Sequence, residues 1–165
     1  MLTRAGVSAL GLALISACGA GPEDEAPAET TVETVSETLD ALALQTRLIE
    51  VEEGGVVELP EGTIDLVDGL SLDVPGVTIR GAGQDKTILN FAGQEGAGEG
   101  LLITSDDVIV EGFTMRATKG DGIKSKGADR IIYRDLTVEW SGGPDEENGA
   151  YGVYPVESTD VLVER

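Results

Sequence analysis

The 165-residue chain contains no histidine, one cysteine and few aromatic residues. Without histidine, this sequence cannot build serine–histidine or cysteine–histidine catalysis or a typical zinc site, and a single cysteine cannot form an internal disulfide. Basic residues are also scarce, since 11 Lys and Arg stand against 31 Asp and Glu and leave a net charge of −20. Phosphate binding needs a basic surface, so we expect no nucleic-acid partner.

Glycine, by contrast, is abundant, and a short apolar pattern recurs four times. The four copies begin at Val77, Val108, Ile131 and Val161. The stretches that precede them begin at Gly69, Gly100, Gly122 and Gly152 and are also apolar at alternate positions. Alternation with a period of two indicates strands. Repeats spaced by roughly 20 to 50 residues are typical of solenoids, in which each unit buries its apolar face against its neighbours.

Stacking the four copies in register predicts columns of similar side chains. The predicted apolar columns are Val77, Val108, Ile131 and Val161; Ile79, Val110, Tyr133 and Val163; Phe113 over Leu136; and Met115 over Val138. A column of alternating charge contains Arg80, Glu111, Arg134 and Glu164, and Arg116 faces Glu139. We interpret these charges as structural, because each lies between opposite neighbours and contributes ~0.2–1 kcal/mol per pair.

The first 17 residues predict a signal peptide. An uncharged, mostly apolar run follows Arg4 and leads to Ile15-Ser-Ala-Cys18, and this run is too short to span a bilayer. The tetrapeptide resembles the bacterial lipobox, which implies cleavage before Cys18 and lipid modification of that residue. We therefore expect an exported protein anchored to a bacterial membrane on the periplasmic or cell-surface side. The alternative is an ordinary signal peptide with an unrelated cysteine.

Residues 18–40 predict an acidic, disordered linker. The segment contains several acidic residues and no basic one, and it has too little apolar surface to offset the entropy lost on ordering. The alternative, an acidic cation-binding tail, is disfavoured because the charges are spread along the segment.

We expect folded structure over residues 41–165, beginning with a capping helix at about 41–52. Leu44, Leu48 and Val51 have helical spacing, and Asp40 is placed as the N-cap. Two strands, Val56–Leu59 and Thr63–Leu66, follow around the turn at 60–62.

Three runs carry a family resemblance. The segments 55–64 (GVVELPEGTI), 77–83 (VTIRGAG) and 86–89 (KTIL) resemble the opening of right-handed parallel β-helix proteins of the pectin-lyase-like superfamily. The resemblance implies an all-β fold, a right-handed parallel β-helix (solenoid) of about four coils with an N-terminal capping helix. Because residues 161–165 begin a strand with no terminal cap after it, we also expect the natural protein to continue with several more coils. A leucine-rich-repeat solenoid is disfavoured, because the repeat lacks an asparagine ladder and regular leucines.

The superfamily contains polysaccharide lyases, hydrolases, epimerases and binding proteins, so the resemblance leaves the activity open. The Asp-Pro-His motif common in its alginate epimerases does not occur in this sequence. Catalytic residues therefore stay unassigned.

One candidate surface is basic. Six of the basic residues fall between Arg116 and Arg134; those outside the charge columns include Lys119, Lys124 and Lys126. Such lysines could hold an anionic sugar chain or remove a proton next to a uronate carboxylate. The alternative interpretation is that they are solvated lysines at turns.

The second candidate surface is aromatic. Trp140, Tyr151 and Tyr154 flank the loop at 141–150, and the repeat register places Tyr154 beside Lys124. A ring can stack on a pyranose face while the ammonium meets a carboxylate. Alternatively, Trp140 and one tyrosine fill a corner of a coil. The acidic run at 145–148 lacks EF-hand spacing, so we predict no metal site and no cofactor.

Two functions remain open on these residues. The first is a lipid-anchored protein that binds polysaccharide, most favourably an acidic one, through Lys124, Lys126, Trp140, Tyr151 and Tyr154. The second is a lyase or epimerase-like enzyme acting on a uronate polymer.

Overall fold

The computed structural model describes residues 39–165 except positions 97, 142, 147 and 150. The predicted signal peptide (1–17), Cys18 and the predicted linker up to residue 38 lie outside the described residues. The described part contains helix α1 (Ala41–Glu50) and eleven strands. These are β1 (Val56–Glu58), β2 (Gly62–Asp65), β3 (Leu70–Leu72), β4 (Thr78–Arg80), β5 (Thr87–Asn90), β6 (Leu101–Ile103), β7 (Ile109–Arg116), β8 (Ile123–Lys126), β9 (Ile132–Glu139), β10 (Val153–Val156) and β11 (Leu162–Glu164).

The strands form two parallel sheets. The first has seven strands, β1, β2, β4, β5, β7, β9 and β11, and the second contains β3, β6, β8 and β10 in that spatial order. Each strand pairs with the equivalent strand of another repeat copy, and every pairing between described strands is parallel. The expected all-β class with parallel sheets is confirmed, and this topology is compatible with a β-helix-like solenoid.

The predicted columns agree with the strand register. Ile79 pairs with Val110, Val110 with Tyr133, and Tyr133 with Val163. The charge column follows the same register, and Phe113 and Met115 pair with Leu136 and Val138. In the first column the residues at 77, 108 and 131 are fully buried. These side chains stack because parallel strands in register place equivalent positions ~4.8 Å apart.

The helix begins and ends close to the predicted positions. The Asp40 carboxylate accepts a hydrogen bond from the Ala43 amide at 2.8 Å, and Leu44 and Leu48 are buried. The helix stops at Glu50 rather than at about 52, because Val51 is already extended. The predicted strand at 56–59 ends one residue earlier, at 58, and the predicted strand at 63–66 is shifted by one residue to 62–65.

Helix α1 packs beside β3. The Gln45 side chain accepts a hydrogen bond from the Ser71 amide at 2.9 Å and donates one to the Ser71 carbonyl at 3.1 Å. The helix thereby satisfies backbone groups at the outer strand of the four-stranded sheet, which is the expected action of a capping helix. Among the described residues, no helix is long and apolar enough to cross a membrane.

Candidate functional site

The outward side of the four-stranded sheet carries one aligned row of side chains. Ser71, Leu102, Lys124 and Tyr154 occupy equivalent positions on its four strands. On β6 and β8 their neighbours along the strand, such as Ile103 and Ile123, are buried. Because alternate residues of a strand point to opposite sides, the row stands on the solvent side of the sheet.

The two tyrosines form a stacked pair at one end of this row. The ring centroids of Tyr151 and Tyr154 lie 4.5 Å apart with an interplanar angle of 23°. Tyr151 is 52% exposed, so the pair presents aromatic surface to solvent. The Lys124 ammonium lies 5.6 Å from the centre of the Tyr154 ring, within the range of a cation–π contact.

Lys124 also forms a short ion pair. Its Nζ lies 2.6 Å from Glu99 Oε1 and 4.0 Å from Asp121 Oδ2. The hydrogen bond and charge of Glu99 raise the pKa of Lys124. In return, the hydrogen bond from Lys124 lowers the pKa of Glu99, with a smaller contribution from the charge of Lys126. Lys124 is therefore held as an ammonium and Glu99 as a carboxylate at neutral pH.

The residues before the leading glycines form a second row beside the first. These positions are Asp68, Glu99, Asp121 and Tyr151. Two backbone hydrogen bonds connect successive repeat copies at these positions. The Gly100 amide donates to the Asp121 carbonyl, and the Gly122 amide donates to the Tyr151 carbonyl. Three carboxylates and one exposed tyrosine therefore border the row that contains Lys124.

A buried glutamine positions the Glu99 segment. Gln94 is 3% exposed; its Oε1 accepts a hydrogen bond from the Lys119 amide at 2.9 Å, and its Nε2 donates to the Glu99 carbonyl at 3.3 Å. Next to it lies a groove of about 170 Å³ whose lining includes Ser71, Glu99 and Leu102. The groove therefore continues the outward row away from the tyrosines.

The remaining predicted site residues are placed differently. Lys126 is exposed on β8, where it pairs in register with Val156. Trp140 is partly buried, and its indole Nε1 donates to the Thr118 carbonyl at 2.7 Å. The structure thus brings Lys124, Tyr151 and Tyr154 together, whereas Trp140 is hydrogen-bonded to the backbone at Thr118.

Several other basic residues are engaged in ion pairs. Arg116 and Arg134 pair with Glu139 and Glu111 within the charge columns, and Arg130 contacts Asp107 at 2.6 Å. Over the part of the chain that the structure describes, no group of three or more acidic, cysteine or histidine side chains is arranged to hold a metal ion.

Sequence reasoning did not select Glu99, Asp121 or Gln94 as site residues. One signal was available for the two carboxylates, because both directly precede a leading glycine and so share a place in the repeat. Gln94 belongs to an inserted loop outside the repeat, and no sequence pattern indicates its two hydrogen bonds.

The comparisons identify no relative for this arrangement. No protein-family model matches the chain, and neither a curated protein nor a solved structure matches it. The chemistry of this surface is therefore the basis for a function, and it consists of a stacked aromatic pair, an ammonium paired with a carboxylate, and a neighbouring groove.

Proposed function

We propose that this protein is a right-handed parallel β-helix of the pectin-lyase-like kind that binds polysaccharide on the outward side of its four-stranded sheet. The proposed binding surface, called the tyrosine–lysine face below, consists of Glu99, Leu102, Lys124, Tyr151 and Tyr154. The observation that carries the proposal is the stacked Tyr151–Tyr154 pair, with Tyr151 exposed, beside the Lys124 ammonium.

The chemistry of this face suits a sugar chain. Aromatic rings offer large apolar area with little conformational entropy to lose, and the C–H faces of a pyranose can stack on them. The Lys124 ammonium can donate hydrogen bonds to sugar hydroxyls, while the Glu99 and Asp121 carboxylates can accept them. Since Leu102 and the groove beside it continue the same row, a chain of several sugar units would find contacts along the sheet.

The proposal extends to the location of the protein. The tetrapeptide ending at Cys18 supports lipid modification after export, and the acidic segment that follows supports a spacer between the anchor and the β-helix. A lipid-anchored protein of this kind would present the tyrosine–lysine face to polysaccharide at the cell surface or in the periplasm. Metabolic labelling with a fatty-acid analogue, compared between the wild type and Cys18→Ser, tests this part.

The binding test uses the full chain and a panel of soluble polysaccharides in affinity electrophoresis and calorimetry. We expect Tyr154→Ala and Tyr151→Ala each to weaken binding by about tenfold, equivalent to ~1.4 kcal/mol. Tyr154→Phe should retain most of the affinity because the ring remains. Leu162→Ala, at an exposed apolar residue of the other sheet, is the matched control and should bind as the wild type does. Unchanged binding in both alanine variants would contradict the proposal.

The alternative function is elimination on a uronate polymer. The exposed Lys126, two residues beyond Lys124 on β8, supports it, since an amine can remove the proton next to a uronate carboxylate. Lys124 suits that step poorly, because its pKa is raised and it stays protonated. Incubating the protein with alginate and pectate while recording ultraviolet absorbance tests the alternative, because elimination forms an unsaturated, absorbing product.

A further inference from the structure

We propose that Glu99 makes the tyrosine–lysine face selective for uncharged sugar units, because its carboxylate occupies the position beside Lys124 that a uronate carboxylate would need. This inference rests on the proposed function and specifies the substrate class of the same face.

The Lys124–Glu99 pair is short and partly sheltered. The two atoms lie 2.6 Å apart, and the side chains are only 23% and 28% exposed. Asp121 Oδ2 lies 4.0 Å from the same ammonium. An incoming carboxylate would therefore have to displace Glu99 or be placed next to two carboxylates, and like charges at such distances repel.

The local charges also leave no excess positive charge for an anion. Among the described residues that border the face, the ammonium groups of Lys124 and Lys126 stand against the carboxylates of Asp68, Glu99 and Asp121. The chain as a whole carries a net charge of −20, which repels polyanions at longer range. Uncharged hydroxyl groups meet no such penalty, because each can donate to a carboxylate or accept from an ammonium.

Glu99 is held in this position rather than free to move away. Its backbone carbonyl accepts a hydrogen bond from Nε2 of the buried Gln94, and Gln94 Oε1 in turn accepts one from the Lys119 amide. These two hydrogen bonds hold the backbone at Glu99 next to Lys124. The ion pair between Glu99 and Lys124 is therefore formed before any ligand arrives. Discrimination between charged and uncharged sugars then follows from the preformed pair.

The experiment compares neutral polysaccharides (xylan, glucan and galactomannan) with uronates (alginate and pectate), using the full chain at two salt concentrations. We expect the wild type to bind at least one neutral polymer about tenfold or more tightly than either uronate. Glu99→Gln keeps the shape but frees the Lys124 ammonium, so uronate affinity should rise by about tenfold and fall again as salt is added. Neutral affinity should not rise, because an amide oxygen accepts hydrogen bonds from sugar hydroxyls less strongly than a carboxylate does. The ratio of uronate to neutral affinity should therefore increase by about tenfold or more.

Glu139→Gln is the matched control, because it removes a carboxylate from an equally short ion pair, with Arg116 at 2.7 Å, in the other sheet; it should leave the ratio of neutral to uronate affinity unchanged. If Glu99→Gln does not fold, as judged by circular dichroism, Lys124→Gln replaces it and should shift the ratio further towards neutral polymers.

The outcomes separate the two proposals. Tighter wild-type binding to uronates, or a Glu99→Gln ratio equal to that of the wild type, would overturn the selectivity while leaving polysaccharide binding in place. Absence of binding to every polymer in the panel would overturn the proposed function and the selectivity with it.

Discussion

Tyr154 and Lys124 lie directly beside each other on neighbouring parallel strands, with the ammonium 5.6 Å from the centre of the ring. Their positions in successive repeats are equivalent, so the pair follows from the stacking of β10 on β8. The ammonium is shared between this ring and the Glu99 carboxylate. The aromatic and ionic parts of the face are therefore coupled through one side chain.

The stability of the Lys124–Glu99 pair should depend on pH in both directions. Lys124 lowers the pKa of Glu99, so the stabilisation is present above the ordinary glutamate pKa of about 4.3 and is lost as the pH falls through the lowered value. Glu99 raises the pKa of Lys124, so the stabilisation is present below the ordinary lysine pKa of about 10.4 and is lost as the pH rises through the raised value.

The measurement is urea denaturation of the wild type and Glu99→Gln across this range. The difference in unfolding free energy should be largest between about pH 5 and 10 and should shrink on either side. A difference that stays constant from about pH 2 to 7 would show that the ion pair does not contribute to stability.

A charge reversal at Glu111 should destabilise the charge column. Glu111 Oε1 lies 2.6 Å from Arg80 Nε, its other oxygen lies 3.8 Å from Arg134 Nε, and its side chain is only 18% exposed. Glu111→Lys would place three positive charges in succession, so we expect a lower thermal midpoint that partly recovers in about 1 M salt, where the Debye length is about 3 Å. Glu58→Lys, at the more exposed end of the column, should lower the midpoint less.

Gly122 has no room for a side chain. A β-carbon there would lie 2.5 Å from Val138 Cγ1 and 2.6 Å from the Gly152 carbonyl oxygen. Gly122→Ala should therefore reduce the free energy of unfolding by ~1–3 kcal/mol, as overpacking does. Gly98→Ala is the control, because a β-carbon at Gly98 meets nothing within 4 Å. Equal stability of the two variants in thermal denaturation would contradict the close approach of Gly122 to Val138 and Gly152.

The helix cap offers a local test of the N-terminal structure. Asp40→Ala removes the 2.8 Å hydrogen bond to the Ala43 amide and should reduce the free energy of unfolding by ~1 kcal/mol. Asp40→Asn preserves an acceptor and should remain close to the wild type. Hydrogen exchange of the amides in α1 should increase in the alanine variant alone.

The repeat made much of this architecture predictable. Equivalent residues of in-register parallel strands must stack, so the columns through Val110 and Glu111 and the Tyr154–Lys124 neighbours could be derived from spacing alone. The same pattern could not indicate that Trp140 bonds to the Thr118 carbonyl, because that contact joins segments at a corner, where the period of two no longer applies.

The sequence by itself determined the parallel all-β architecture, the capping helix and the contents of each column. Strand alternation and repeat spacing can be read from neighbouring residues, and in-register stacking repeats the same arrangement from one strand to the next. Only the tertiary structure decided which charges of the candidate site are paired. Glu99 reaches Lys124 across 25 residues of chain, and Gln94 holds Glu99 there from an inserted loop. Such contacts depend on where loops return to the sheet, which no periodic pattern encodes.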